Sequence, residues 1–212
     1  MPGQIIAGQI GSINPSADGA NQPPRQGRTN ELVVTELHGK YAEQSFRGRV
    51  FAASAAALAL TTPGTAMTFC LANPPGSGVL VKPIRVDIGY VTAPGTQALG
   101  YLGLYAGKFS GVAVTGTAFG TVLCDRIAQA ANPAAAALFT ATLPAAPVLY
   151  RVIENKFGAL ATAQTQAVGI DFDGTCTLDP GTSISIGQNV ADTTTNAVVS
   201  PVFVWEEWLF TQ

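Results

Sequence analysis

The chain has 212 residues, a length that suits a single large domain, alone or with an arm, and needs no disulfide or metal staple for its core. Only 11% of its residues are charged, the formal net charge is -2, and 47% are hydrophobic, many of them alanine. The charge balance excludes the basic footprint of a nucleic-acid-binding domain, and the low charge density describes a surface that another protein can cover with little desolvation cost.

In chain order, residues 1–30 read as an extended arm: glycine, proline, asparagine, glutamine and serine dominate, and PPRQGR at 23–28 has no core-facing period. The start, MPGQIIAGQIGSINPSADG, lacks the basic and apolar regions of a secretory signal. The longest apolar run, Phe51 to Leu60, is shorter than the roughly 20 residues a membrane helix requires. A soluble protein made in the cytoplasm, with no membrane or nucleic-acid partner, is the expectation. Residues 31–212 are expected to form one domain. Charges concentrate at 25–49, where Arg25, Arg28, Lys40, Arg47 and Arg49 interleave with Glu31, Glu36 and Glu43, the mark of a solvated or ion-paired segment. Within it LVVTEL at 32–37 suits a strand, and HGKYAEQSFRG at 38–48 fits neither strand nor helix clearly.

From residue 46 onward short strands are predicted at 46–53, 65–72, 79–91, 97–105, 118–125, 137–143, 148–155, 167–178, 182–187 and 197–209. Proline and glycine turn signals at 63–64, 74–78, 93–95, 132–133 and 179–181 separate them. In 182–187, Ile184 and Ile186 alternate with Ser183 and Ser185, which predicts a half-buried strand. The run VFVWEEWLF at 202–210 is apolar on both faces over its first half, so it is covered on both sides, by a second sheet or by another subunit. Phe203, Trp205 and Trp208 are its candidate packing residues. Pro201 is expected at the start of that strand, before a ladder donor is needed. Residues 126–131 and 158–167 allow one or two helical turns and nothing longer. The fold class is therefore all-β, an antiparallel β-sandwich with an N-terminal arm.

Motifs for chemistry are few. VGIDFDGTCTL at 168–178 contains Asp171-Phe172-Asp173-Gly174-Thr175, which resembles the signature of haloacid-dehalogenase-like phosphatases, where the first Asp attacks phosphorus, the second shuttles the proton and both hold Mg²⁺. That chemistry needs further cations and a strand feeding a helix. Here the last Lys and Arg, Lys156 and Arg151, precede the motif, and CTLDPGTSIS reads as strand, Pro180-Gly181 turn and strand. The phosphatase reading is a remote alternative. A loop Ca²⁺ on Asp171, Asp173 and Asp179 is a weak candidate, against the plainer reading of solvated turn carboxylates. His38 is the single histidine, and Cys70, Cys124 and Cys176 lie far apart in apolar runs, so they read as buried free thiols with no zinc spacing. Glu206 and Glu207 alternate across one strand and face opposite ways, one toward an arginine and the other toward water. Tyr101, Tyr105 and Phe109 are candidates for a sugar-stacking platform, set against core or interface packing. The stretch GVAVTGTAFGT at 111–121 lacks the lysine and helix of a phosphate loop. No catalytic set and no cofactor site is assigned.

ELVVTELHGKYAEQSFRGRVFAAS at 31–54, a strand-rich body and a close of the type DPGTSISIG…VFVWEEW resemble virion structural proteins of tailed bacteriophages. The resemblance implies a capsid decoration or cement subunit, jelly-roll-like, forming a homo-oligomer, commonly a trimer, on the outside of the head and bound to the major capsid protein. It brings no catalytic residues. On that reading residues 1–50 anchor the subunit, and Arg25, Arg28, Arg47 and Arg49 pair with carboxylates on the shell. A carbohydrate-binding host-recognition module of a fibre or tail is the alternative, with contacts at residues 101–109.

Overall fold

In a computed structural model the chain divides into two compact units, Met1–Lys40 and Tyr41–Gln212. The structure describes residues 40–109, 111–119, 122–124, 134–157 and 167–209. The expected arm at 1–30, the candidate strand 32–37, His38, the helical turns considered at 126–131 and most of 158–167 lie outside them. The second unit opens with one helical turn, α1 (Ala42–Phe46), and its other regular elements among the described residues are strands. In chain order the strands are β1 (Val50–Ser54), β2 (Leu58–Ala59), β3 (Ala66–Asn73), β4 (Val79–Thr92), β5 (Leu99–Lys108), β6 (Thr115–Ala118), β7 (Leu123–Cys124), β8 (Ala137–Thr142), β9 (Val148–Phe157), β10 (Val168–Asp171), β11 (Thr182–Gln188) and β12 (Val198–Leu209).

Two six-stranded antiparallel sheets face each other. One runs β10-β4-β12-β1-β7, with β2 also on β12; the other runs β6-β8-β3-β11-β5-β9. With β2 and the three strands between β5 and β9 (β6, β7 and β8) set aside, the orders are β1-β12-β4-β10 and β3-β11-β5-β9. With the eight remaining strands lettered B to I in chain order, these are B-I-D-G and C-H-E-F, the two four-stranded sheets of a jelly roll. The segment between β5 and β9 is an insertion. Its strands extend both sheets on one side, β7 beside β1 and β8 then β6 beside β3.

The core lies between the sheets and follows the strand period of two. Phe51, Val81, Val86, Ile88, Val199, Phe203 and Trp205 from the first sheet meet Phe69, Leu71, Leu102, Leu104, Leu138, Ile184 and Ile186 from the second. Phe51 and Trp205 stack at 6.0 Å between ring centroids. Phe203 and Trp205 thus belong to the core of one subunit, and of the three aromatic candidates in β12 only Trp208 reaches the surface. Pro201 sits inside β12 rather than at its start. Its carbonyl accepts from Ala55 N (3.0 Å), so its ring nitrogen points past the end of β1, where the ladder has stopped. The Ser200 hydroxyl donates to Ala55 O (2.8 Å) at the same place.

The expected half-burial of β11 is not what forms. Ile184 and Ile186 point into the core, and Ser183 and Ser185 on the opposite face are buried as well. A second apolar cluster, including Met67, Cys70, Ala72, Tyr105, Phe109, Ala141 and Leu143, covers that outer face. The sheet is lined there by small residues, which lets the aromatic rings lie flat: a Cβ added at Gly107 would come within 2.3 Å of the Phe109 ring.

Glu206 and Glu207 are both buried, which corrects the expectation that one faces water. Glu207 is on the core side with Trp205. Its carboxylate accepts from Ala135 N (2.9 Å), Ala136 N (2.9 Å) and the Trp205 indole Nε1 (3.2 Å). This latch ties the β5–β9 insertion to the central strand. Replacing Glu207 with Ala leaves three donors without their acceptor, each costing about 1–3 kcal/mol when buried. We expect Glu207→Ala to lose about 3–5 kcal/mol in urea unfolding; a loss below about 0.5 kcal/mol would remove the latch from the account.

Candidate functional site

The Asp171 motif lies at one edge of the first sheet. β10 pairs antiparallel with β4, Asp171 opposite Arg85. The Arg85 guanidinium donates from Nη1 to both Asp171 oxygens (3.0 Å each) and from Nε to Asp87 Oδ1 (2.8 Å). Asp87 first and Asp171 second hold that guanidinium even more firmly protonated than usual. All three side chains are substantially exposed, a setting in which ion pairs contribute little stability.

Phe172 then turns into the core, and Asp173 (φ 48°) and Gly174 (φ 74°) take the two left-handed positions of a tight turn closed by Thr175 N donating to Phe172 O at 2.9 Å. Two consecutive positive φ values define a type I′ turn, for which Asp-Gly is a preferred pair. The predicted strand 167–178 therefore ends at Asp171. Its successor is a hairpin-type turn in an antiparallel sheet, not the helix that an aspartyl-phosphate site requires. The Asp171 carboxylate is engaged by Arg85. Among the described residues no three His, Cys, Asp or Glu side chains are grouped to hold a metal ion, Asp171, Asp173 and Asp179 included.

Tyr105 and Phe109 are buried in the outer-face cluster and Tyr101 packs against it, so the three do not present a free platform. Burial first, and the neighbouring Tyr101 second, push the Tyr105 hydroxyl up to about 12. That hydroxyl is buried with no hydrogen bond completed, as are Ser183 Oγ and Ser185 Oγ. The three cysteines are free and buried. Desolvation raises the thiols of Cys70 and Cys176, which makes them poor nucleophiles. A shallow groove of about 340 Å³ runs beside Lys108, Tyr150, Thr175, Cys176 and Thr182, with Tyr150 Oη donating to Thr175 O at 3.3 Å.

A buried polar network at the β9–β11 end escaped sequence reasoning. Lys156 Nζ pairs with Asp192 and donates to Gln188 Oε1 (2.8 Å) and Val190 O (3.3 Å). Asp192 also accepts from Ala98 N (3.1 Å) and Ala197 N (3.3 Å), and Gln188 Nε2 donates to Asn196 Oδ1 (2.8 Å). Nearby, Tyr90 donates to Glu154 (3.1 Å). Every charge here has its partners, and the network pins the loop between β11 and β12. Its role is structural.

Of the arginines, Arg25 and Arg28 lie outside the described residues. Arg47 is exposed after α1, and Arg49 is half-buried, its backbone bonded to Gln44 and Glu207. Lys82 Nζ stands 3.8 Å over the Trp208 ring.

The unusual surface is β9. It closes the second sheet at one edge and exposes Val148 (73%), Leu149 (40%), Tyr150 (43%) and Val152 (43%) in five consecutive positions. No protein-family model matches the chain, and no curated protein and no solved structure shows significant similarity to it.

Two outcomes follow from these environments. In Tyr105→Phe, removal of an unpaired buried hydroxyl leaves stability unchanged or raised by about 1 kcal/mol. The folded-state pKa of Tyr105 is above its unfolded value of about 10. Its contribution is complete below pH ~10 and declines as pH rises toward the folded value of about 12. Denaturant titrations between those limits should show a smaller decline for Tyr105→Phe than for wild type. Lys156→Met strands the Asp192 carboxylate and should cost about 3–5 kcal/mol, read as a fall in thermal midpoint; an unchanged midpoint would contradict the assigned network.

Proposed function

We propose that this chain is a structural virion protein, a decoration or cement subunit that binds the outside of a tailed-phage head as a homo-oligomer. The observation that carries the reading is the combination on one jelly roll of a very low charge content and an apolar sheet edge open to solvent. A long apolar edge is a pairing hazard unless a partner covers it. In this reading the partner beyond the subunit itself is the major capsid protein, and the location is the capsid surface of a particle assembled in the host cytoplasm. Residues 1–50 supply the anchor. Arg25 and Arg28 pair with shell carboxylates, and Arg47, exposed just after α1, extends the same basic stretch. Many copies multiply weak individual contacts into firm attachment. The carbohydrate-module alternative draws no support from Tyr105 and Phe109, since both rings are buried.

Co-sedimentation with shells stripped of this protein tests the proposal. Full-length chain should pellet saturably with the shells. A variant lacking residues 1–30 should keep its β-rich circular dichroism and stay in the supernatant. Undiminished binding by the truncated protein would refute the anchor, and absence of binding by the full chain would refute the reading.

A further inference from the structure

The two sheets of the sandwich have four edges, and three are defended. β7 has two residues. β10 has four, and its last residue, Asp171, is ion-paired with Arg85 of the neighbouring β4. β6 has four, Thr-Gly-Thr-Ala, all exposed and small. Shortness and charge are the usual protections of a free edge. β9 is not short: it runs for ten residues without a proline, and its charges, Arg151, Glu154 and Lys156, are spread among apolar residues. Its one lysine, Lys156, is turned inward and paired with Asp192. Among the described residues, no strand lies on its outer side.

Two irregularities in the β5–β9 register, between Leu102 and Gly103 and between Leu104 and Tyr105, shape what the edge presents. The extra residues at these points are Ile153, which packs toward the core, and Tyr150, which reaches Thr175 O. Leu149 and Val152 stand opposite Tyr105 and Gly103, so both lie on the outer face. The bulges thus set Leu149 and Val152 together on the outer face, while Val148, opposite Ala106, lies on the other face.

We propose that β9 is the seam between two copies of this chain, joined edge to edge in antiparallel fashion, so that the β3-β11-β5-β9 sheet continues across the joint. The inference rests on the subunit reading above and names its interface. The charges of the strand select the orientation. Arg151 is in the first half and Glu154 in the second. An antiparallel joint about the strand centre brings the arginine of each copy toward the glutamate of the other, whereas a parallel joint sets like against like. A self-complementary patch of this kind closes as a two-fold pair, and main-chain hydrogen bonds along the joint supply its affinity. The threefold arrangement implied by the sequence resemblance is a different assembly, and the two are separable by mass.

Sedimentation equilibrium of the full chain, with Val152→Lys and a control Val91→Lys, tests the seam. Val91 is more exposed than Val152 and lies on β4, in the other sheet. Wild type and Val91→Lys should be dimers. Val152→Lys should weaken self-association by about a hundredfold or more, because the ammonium must be desolvated in the joint, and at protein concentrations low enough for both to be single copies its thermal midpoint should match wild type, because the site is exposed in the single copy. Val152→Cys should form an interchain disulfide under mild oxidation, and Val91→Cys should not. A Val152→Lys dimer, or a wild-type trimer indifferent to Val152→Lys, overturns the seam and leaves the oligomeric reading standing. A dimer lost on removal of residues 1–30 but kept in Val152→Lys assigns the contact to that segment and also overturns it. A monomeric wild type that binds shells sinks the seam alone, and one that does not bind sinks both.

Discussion

The fold depends on covering β12. Its twelve residues are laddered to β4 along their whole length on one side and to β1 and β2 on the other, while Val199, Phe203 and Trp205 fill the space between the sheets. A strand this apolar has no stable place at an edge or on a wet face. Once it is central, the B-I-D-G order follows, and the second sheet must close over Trp205. The Glu207 carboxylate turns the same strand into the anchor of the insertion, because Trp205 Nε1, Ala135 N and Ala136 N all donate to it. That insertion shields the β1 and β3 edges. The opposite side of the sandwich is left with β10, which is short and charged, and β9, which is long and exposes Val148, Leu149, Tyr150 and Val152.

Much of this was legible in the sequence, and the reasons are local. Nine strands occur close to where alternation and turn residues placed them, since both signals come from neighbouring residues. Asp173-Gly174 was readable as a turn for the same reason. The departures are tertiary. The single predicted strand at 118–125 became β6 and β7 in different sheets, with Phe119 turned in to stack on Phe69 at 5.9 Å. The ambiguous stretch after residue 38 holds the one-turn helix α1, and this delays β1 to Val50. Ser183 and Ser185 looked solvated because nothing in their own strand reveals that Tyr105 and Phe109 will cover the sheet. Lys156 and Asp192 are thirty-six residues apart, and no local pattern marks them as a pair.

The candidate site was less legible still. Sequence reading drew attention to Asp171, Tyr101, Tyr105 and Phe109, which bear recognisable chemistry. The structure gives them ordinary duties: a surface ion pair, a buried cluster. The informative residues are Leu149 and Val152, whose significance depends on strand order. Val148–Asn155 was recognised as a strand, but only the sheet topology makes it an edge. A β-sandwich with few charges and a long exposed edge strand has little to desolvate where a neighbour packs against it.

The central claim is that this subunit works by being packed among copies of itself on a viral shell. Electron microscopy of intact particles from the virus encoding the chain tests it most directly. The account predicts jelly-roll density in symmetric array on the outside of the head, with each β9 edge covered. Particles bearing no such density, or an isolated copy with β9 facing solvent, would contradict it.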